Sequence, residues 1–293
     1  MGISLMKHNV KTYENLVNKL KTSESVAVVQ ATGTGKSYIA LKYIEENCSG
    51  TVVVVVPSNV LADYWIKQSK KLKDVEINVL TYALLSKCTD EQLSEIADSC
   101  NLLILDEMHR AGAEKWGLAT KNIMSRLLSR NVKTIGLTAT PIRSLDNNKN
   151  VVKELFEGLQ VTGIDLKDAI IQGVLPTFKY ISALYNIEQE IRNAKERVEE
   201  SKYLSKKEKR LYSRVLNSLL INDKTSTNIK EILNKHLDMN VCQKIIVFAR
   251  DIQDKDNLQQ FLEDWFPTAT IYDLDSRMTR EECSISIDNF NNA

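Results

Sequence analysis

The sequence predicts an α/β fold, a parallel sheet flanked by helices, and three observations predict it. Short aliphatic runs recur through the first half: SVAVVQ (25–30), VVVVV (52–56), INVL (77–80), LLIL (102–105) and TIGL (134–137). They are apolar on both faces rather than alternating, which is the pattern of strands buried inside a parallel sheet. Helical stretches lie between most of them, and strand–helix–strand repetition implies right-handed crossovers. Finally, a chain of 293 residues suits two domains and can bury cores of ordinary size.

Taken in order, the first run leads into SYIALKYIEEN, a helix, and the valine run into VLADYWIKQSKKL, a second. Thr89 with Gln92 forms a capping box that starts a third helix, EQLSEIADSC. Near residue 186 the texture changes. Ile187, Ile191, Ala194 and Val198 fall at helical spacing. Ser205 with Glu208 makes another capping box, and Leu211, Val215 and Leu219 continue a stripe, so a helical hairpin is expected. A further helix is expected through Ile229, Ile232, Leu233 and Leu237. The α/β texture returns at KIIVFAR (244–250), a strand, followed by a helix around 255–264, the strand TIYDLD (270–275) and a helix toward Phe290. The expected domains are 1–185, a helical insert at 186–240, and a further α/β unit at 241–293.

Composition excludes several classes. Lys and Arg total 39 against 38 Asp and Glu, so a nucleic-acid surface must be local rather than the property of the whole chain. The 5 cysteines (Cys48, Cys88, Cys100, Cys242, Cys283) are widely spaced with no CxxC pair, which fits a reducing cytoplasm rather than a disulfide framework. The longest aliphatic run is far short of the roughly 20 residues a membrane helix needs, so no membrane partner is expected.

Two motifs carry chemistry. A strand at 25–30 followed by ATGTGKS builds a loop of small residues entering a helix, whose open N–H groups and positive dipole end suit a polyphosphate. Thr32, Gly33, Thr34 and Gly35 would line that loop, Lys36 would reach the β and γ phosphates, and Ser37 would offer its hydroxyl to Mg²⁺. The strict GxxxxGK[ST] pattern wants glycine at position 30, where this chain has Gln30. Downstream, LLILDEMHRAG puts Asp106 and Glu107 just past a buried strand, where adjacent carboxylates have little structural purpose. Asp106 can hold Mg²⁺, and Glu107 can orient or deprotonate an attacking water. Trp65 and Trp116 read as packing residues.

In sequence order, QATGTGKS, DEMH (106–109) and LTATP (137–141) resemble the nucleotide-binding half of superfamily 2 helicases and translocases. The match is to the DEAD/DEAH-like group that includes restriction-enzyme translocase subunits such as the type III Res subunit. This resemblance implies a RecA-like P-loop NTPase domain, ATP and Mg²⁺ as cofactors, and a nucleic-acid partner, DNA ahead of RNA. It adds His109 to the catalytic set, coupled through Thr138 and Thr140 to strand contact. KHN at 7–9 resembles the motif whose amide recognises adenine, with Asn9 where many relatives have Gln. VVVVVPSNVLADYW and LTYALLSK resemble the two loops that touch the nucleic-acid backbone, which nominates Pro57, Ser58, Asn59, Thr81 and Tyr82. The alternative for Ser58 and Asn59 is a helix cap. KIIVFAR resembles the first strand of a second RecA-like domain, expected to be incomplete at Ala293.

KYLSKKEKRLYSR (202–214) interleaves basic residues with Tyr203 and Tyr212, which suits a backbone groove with stacking and nominates Lys206, Lys207 and Arg210. A solvated helix face is the alternative. Arg250 and Arg280 sit in no arginine-finger motif, and a missing finger slows phosphoryl transfer by about 10³ to 10⁵. The expected function is therefore a nucleic-acid-dependent ATPase, slow by itself and completed by the missing C-terminal part or by a restriction or repair partner subunit. A nucleotide-binding but impaired fragment and a P-loop phosphotransferase of another class remain the alternatives.

Overall fold

A computed structural model describes residues 2–112, 114–143, 149–178, 188–201, 204–221, 235–236 and 244–293. The chain divides into two compact units, Met1–Thr177 and Phe178–Ala293.

The first unit is built on a parallel sheet of six strands in the order β3-β2-β4-β5-β1-β8. Its elements run α1 (Lys7–Leu20), β1 (Ser25–Val29), α2 (Lys36–Asn47), β2 (Gly50–Val56), α3 (Asn59–Ser69), β3 (Val75–Thr81) and α4 (Tyr82–Leu85). They continue with α5 (Asp90–Ser99), β4 (Cys100–Leu105), α6 (Glu114–Leu128), β5 (Lys133–Thr138), the two-residue antiparallel pair β6 (Ile142–Arg143) and β7 (Lys149–Asn150), α7 (Val151–Phe156), β8 (Gln160–Thr162) and α8 (Leu166–Ile171). All five expected strands of this half are present.

Alternation along the strands divides the core into two layers. Val26, Val28, Val52, Val54, Val56 and Ile104 face α1, α2 and α3, where Leu16, Ile39 and Trp65 meet them. Ala27, Val53, Val55, Leu103 and Leu105 face the other way, onto Tyr82, Leu93, Ile123 and Phe156 from α4 to α7. A run of valines is needed in β2 because both of its faces are covered. The capping box at Thr89 and Gln92 starts α5 as expected.

Several elements lie outside the expectation, α1 and β8 among them. Helix α1 buries Asn9 and Thr12 on the same face as Leu16 and Leu20, so its inward stripe is half polar. Strand β8 is three residues long and pairs only with β1.

In the second unit α9 (Glu188–Glu200) and α10 (Lys206–Ile221) form the expected hairpin. Lys209 Nζ donates to the Glu199 carbonyl, and Ser205 and Glu208 exchange bonds at the head of α10. Helices α11 (Ile252–Trp265) and α12 (Arg280–Asn292) follow. The helix expected through 229–237 lies outside the described residues apart from 235–236. The expected strands at 244–250 and 270–275 are corrected: neither belongs to a β ladder among the described residues. An apolar run becomes a strand only where a neighbour takes its N–H and C=O groups. Without one, Ile246 is 68% and Phe248 90% exposed.

Candidate nucleotide site

All strands of the sheet point the same way, so β1, β4 and β5 deliver their following loops to one edge. The loop after β1 contains residues 30–37, that after β4 residues 106–109, and that after β5 residues 138–140. Gln30 N donates to the Thr138 carbonyl at 3.0 Å, which ties two of these loops directly.

Helix α2 starts at Lys36 with Gly35 in the capping position and no side chain accepting from its first turn. Its leading N–H groups are therefore left for an anion. Gly35 has φ 95°, and a Cβ there would stand 2.7 Å from Asn9 Nδ2, so conformation and space both demand glycine. Thr32 and Gly33 are exposed, Ser37 half-buried, and Thr34 fully buried with Oγ1 donating to the Ala31 carbonyl at 2.7 Å. Lys36 is 6% exposed and folds back so that Nζ lies 3.3 Å from the Ala31 carbonyl. Burial pushes its ammonium pKa down, and the charges of Glu107 and then Asp106 oppose that shift. The lysine and the two acids thus share one electrostatic site.

A clamp of three side chains closes on the Thr34 carbonyl. Asn9 Nδ2 donates to it at 2.9 Å, His8 Nε2 lies 2.8 Å away and Gln30 Nε2 3.2 Å away. Gln30 Nε2 also donates to Asn9 Oδ1 and Thr34 Oγ1, both at 2.8 Å. Gln30 therefore replaces the missing glycine with a side chain that braces the loop. Asn9, expected to read adenine, has its amide buried here, with both ends engaged by the loop and by Gln30.

On the acid side, Asp106 is buried, with Oδ2 accepting from Trp65 Nε1 at 2.7 Å and Oδ1 from Glu107 N at 3.0 Å. Burial raises the Asp106 pKa, and the indole bond is the main influence opposing it. Glu107 takes a left-handed φ of 46°, a strained choice for a residue with a side chain. His109 Nδ1 lies 3.4 Å from Glu107 Oε2 and 3.1 Å from Thr138 Oγ1. Thr138 Oγ1 also accepts from Thr140 N at 3.1 Å, so the three loop ends form one chain of contacts. Burial, then Arg110 and Arg143, push the His109 pKa down, which keeps the ring neutral at neutral pH. Arg143 Nη1 donates to the His109 carbonyl at 3.1 Å.

This edge fits a magnesium polyphosphate. Uncapped N–H groups, a buried ammonium and left-handed glycines make the anion cradle. Each Asp106 oxygen carries one internal bond and keeps a lone pair. Among the described residues, no three His, Cys, Asp or Glu side chains converge in metal-holding geometry. A cation would then take few protein oxygens and complete its shell from phosphate and water, as Mg²⁺ does.

The nucleic-acid candidates separate. Pro57 is half-buried, and Ser58 and Asn59 are exposed, but Ser58 Oγ caps α3 by accepting from Leu61 N at 3.4 Å. Thr81 Oγ1 caps α4 in the same way, from Leu84 N at 3.1 Å. Tyr82 is corrected: it is fully buried, stacked on Trp116, and donates its hydroxyl to the Asp106 carbonyl at 3.0 Å. A ring 0% exposed cannot meet a nucleic-acid backbone. Lys206, Lys207 and Arg210 are exposed along α10 in the second unit, and Tyr203 lies outside the described residues. Sequence reasoning passed over Gln30 and His8, and took Trp65 for packing alone. The signal for Trp65 was its indole N–H, which needs an acceptor once the ring is buried.

Two family models match overlapping stretches of the first half. The type III restriction enzyme, res subunit, matches residues 2–76, and the DEAD/DEAH box helicase matches residues 63–147. No curated protein matches the chain. Among solved structures, the chain is similar to the Pyrococcus furiosus Hef helicase domain, with 17% identity, a TM-score of 0.42, and coverage of 75% of this chain and 56% of that one. It is similar also to AMPPCP-bound DnaA from Aquifex aeolicus, at 17% identity, TM-score 0.36, and 97% and 78% coverage. The DNA-bound DUF1998 helicase MrfA gives 12% identity, TM-score 0.40, and 55% and 27% coverage. The chain thus spans little more than half of that Hef helicase domain.

Proposed function

Given that the first unit has a superfamily 2 helicase-like fold, we propose that the chain binds ATP with magnesium at the sheet edge and couples hydrolysis to movement on, or remodelling of, nucleic acid. The observation that carries this reading is the buried ammonium of Lys36 under the charges of Glu107 and Asp106. A lysine with those two neighbours at an uncapped helix start has little structural reason to be there.

In this reading the first N–H groups of α2 donate to phosphate oxygens, and Lys36 leaves the Ala31 carbonyl for the β and γ phosphates. Ser37 and Asp106 would hold magnesium, which when bound neutralises charge on the phosphates. Glu107 accepts the proton of the attacking water or aligns it. The contacts from Glu107 through His109 and Thr138 to Thr140 relay the state of this acid to the loop after β5. The turn at Pro57, Ser58 and Asn59, with Thr81 at the end of the adjacent strand, offers one surface for a nucleic-acid backbone; Lys206, Lys207 and Arg210 offer another in the second unit. DNA ranks ahead of RNA, the cytoplasm is the proposed compartment, and a restriction or repair subunit is the proposed partner. No described helix is long and apolar enough to cross a membrane.

One observation favours a second reading, nucleotide binding with slow turnover. Among the described residues the second unit contains no strand ladder, so the sheet edge of a second RecA-like lobe is not formed there. Phosphate release measured with DNA, with RNA and with neither tests both. Stimulation by nucleic acid supports the coupled ATPase, tight nucleotide binding without stimulation supports the second reading, and phosphorylated product in place of free phosphate contradicts both.

A further inference from the structure

Asp106 is held from both faces of the sheet. Trp65 belongs to the core layer shared with α1 and α2, and its indole N–H reaches the carboxylate Oδ2 at 2.7 Å. Tyr82 belongs to the opposite layer, and its hydroxyl reaches the main-chain carbonyl of the same residue at 3.0 Å. With Glu107 N on Oδ1, three donors set both the carboxylate plane and the peptide plane of one residue. Packing alone does not require these polar atoms, since phenylalanine would fill the Tyr82 volume without an O–H, and burial of the Trp65 ring gives no reason for its N–H to meet this carboxylate rather than another acceptor.

The two aromatics stand on elements that begin at the strand edge. Trp65 lies on α3, whose cap is the exposed Ser58, two turns earlier. Tyr82 directly follows Thr81, the cap of α4. We propose that Trp65 and Tyr82 are positioning residues that tie the turns at Pro57–Asn59 and Thr81 to Asp106, so that a nucleic-acid backbone bound at those turns re-aims the carboxylate. The proposal rests on the reading of this edge as a magnesium nucleotide site with nucleic acid at the turns. A shift of α3 by under an ångström is enough, because a 2.7 Å hydrogen bond is lost beyond about 3.5 Å. The turns hold the strand, the aromatics carry the displacement, and Asp106 receives it.

Trp65 is its own reporter. In a protein carrying Trp116→Phe and Trp265→Phe, its emission is recorded as a single-stranded oligonucleotide is added without nucleotide, and then as magnesium with a non-hydrolysable ATP analogue is added without oligonucleotide. Fluorescence polarisation of labelled oligonucleotide follows binding separately. Both additions are expected to shift the emission. Trp65→Phe, in the otherwise unaltered chain, is expected to bind the oligonucleotide within about twofold of the parent while its stimulation of phosphate release falls about tenfold. Tyr82→Phe, which removes one hydroxyl, carries the same test should Trp65→Phe fail to fold. Oligonucleotide bound with unchanged Trp65 emission overturns the proposal, as does full stimulation in both variants. Failure of the parent chain to bind oligonucleotide overturns the reading of the site itself, and the aromatic tie with it.

Discussion

Replacing Glu107 with glutamine is expected to leave ATP binding intact and to slow phosphate release about 10²- to 10⁴-fold. The amide has the shape of the carboxylate, so the left-handed turn at φ 46° and the approach to His109 Nδ1 keep their sterics. What it loses is the capacity to take a proton from water. The strain at this residue argues for the role, because a solvated acidic turn could relax to ordinary backbone angles at no loss. Single-turnover phosphate release, with nucleotide affinity measured on the same protein, separates the two effects. An unchanged rate would return Glu107 to a simple turn residue.

The second large effect concerns stability and comes from Gly163. A Cβ at this position would stand 1.9 Å from Gln30 Oε1 and 2.7 Å from its Cδ. Neither partner can yield easily. Gly163 N donates to the Val29 carbonyl at 2.9 Å, and Gln30 is pinned through Nε2 to Asn9 and Thr34. Gly163→Ala is therefore expected to destabilise the first unit by about 1–3 kcal/mol, the range for overpacking a closed interior. The melting temperature should fall by about 5 °C for a unit of this size. Adding Gln30→Ala removes the clash and should restore most of that loss, while nucleotide affinity stays reduced because the clamp on Thr34 is gone. Thermal melts of the two single variants and the double variant check this. Losses that simply add would mean that Gly163 and Gln30 do not meet.

These two sites also mark how far the sequence could be read. The five strands were accessible because runs such as VVVVV are buried on both faces and leave a pattern no surface segment shares. The loop at 30–37 and the acids at 106–107 were accessible because their chemistry tolerates few substitutes. Helix α1 was not, since half its buried face is Asn9 and Thr12, whose burial depends on loop contacts that no period predicts. Tyr82 misled for a related reason. A tyrosine one residue past a strand reads alike whether its ring turns outward to a ligand or inward to the Asp106 carbonyl. At 244–250 the local pattern was that of a strand, but a ladder needs a partner, and partners are non-local. Gln30 looked like a defect of the motif because its compensation, Gly163, lies 133 positions away in the chain.

Titration calorimetry of ATP with magnesium against the parent chain and Lys36→Ala tests the central claim most directly, because it needs neither hydrolysis nor nucleic acid. Loss of a charged donor to phosphate at this buried site predicts about 10- to 100-fold weaker binding, with the melting profile of the ligand-free protein retained. Equal affinity in the two proteins would contradict the assignment of this sheet edge as the nucleotide site.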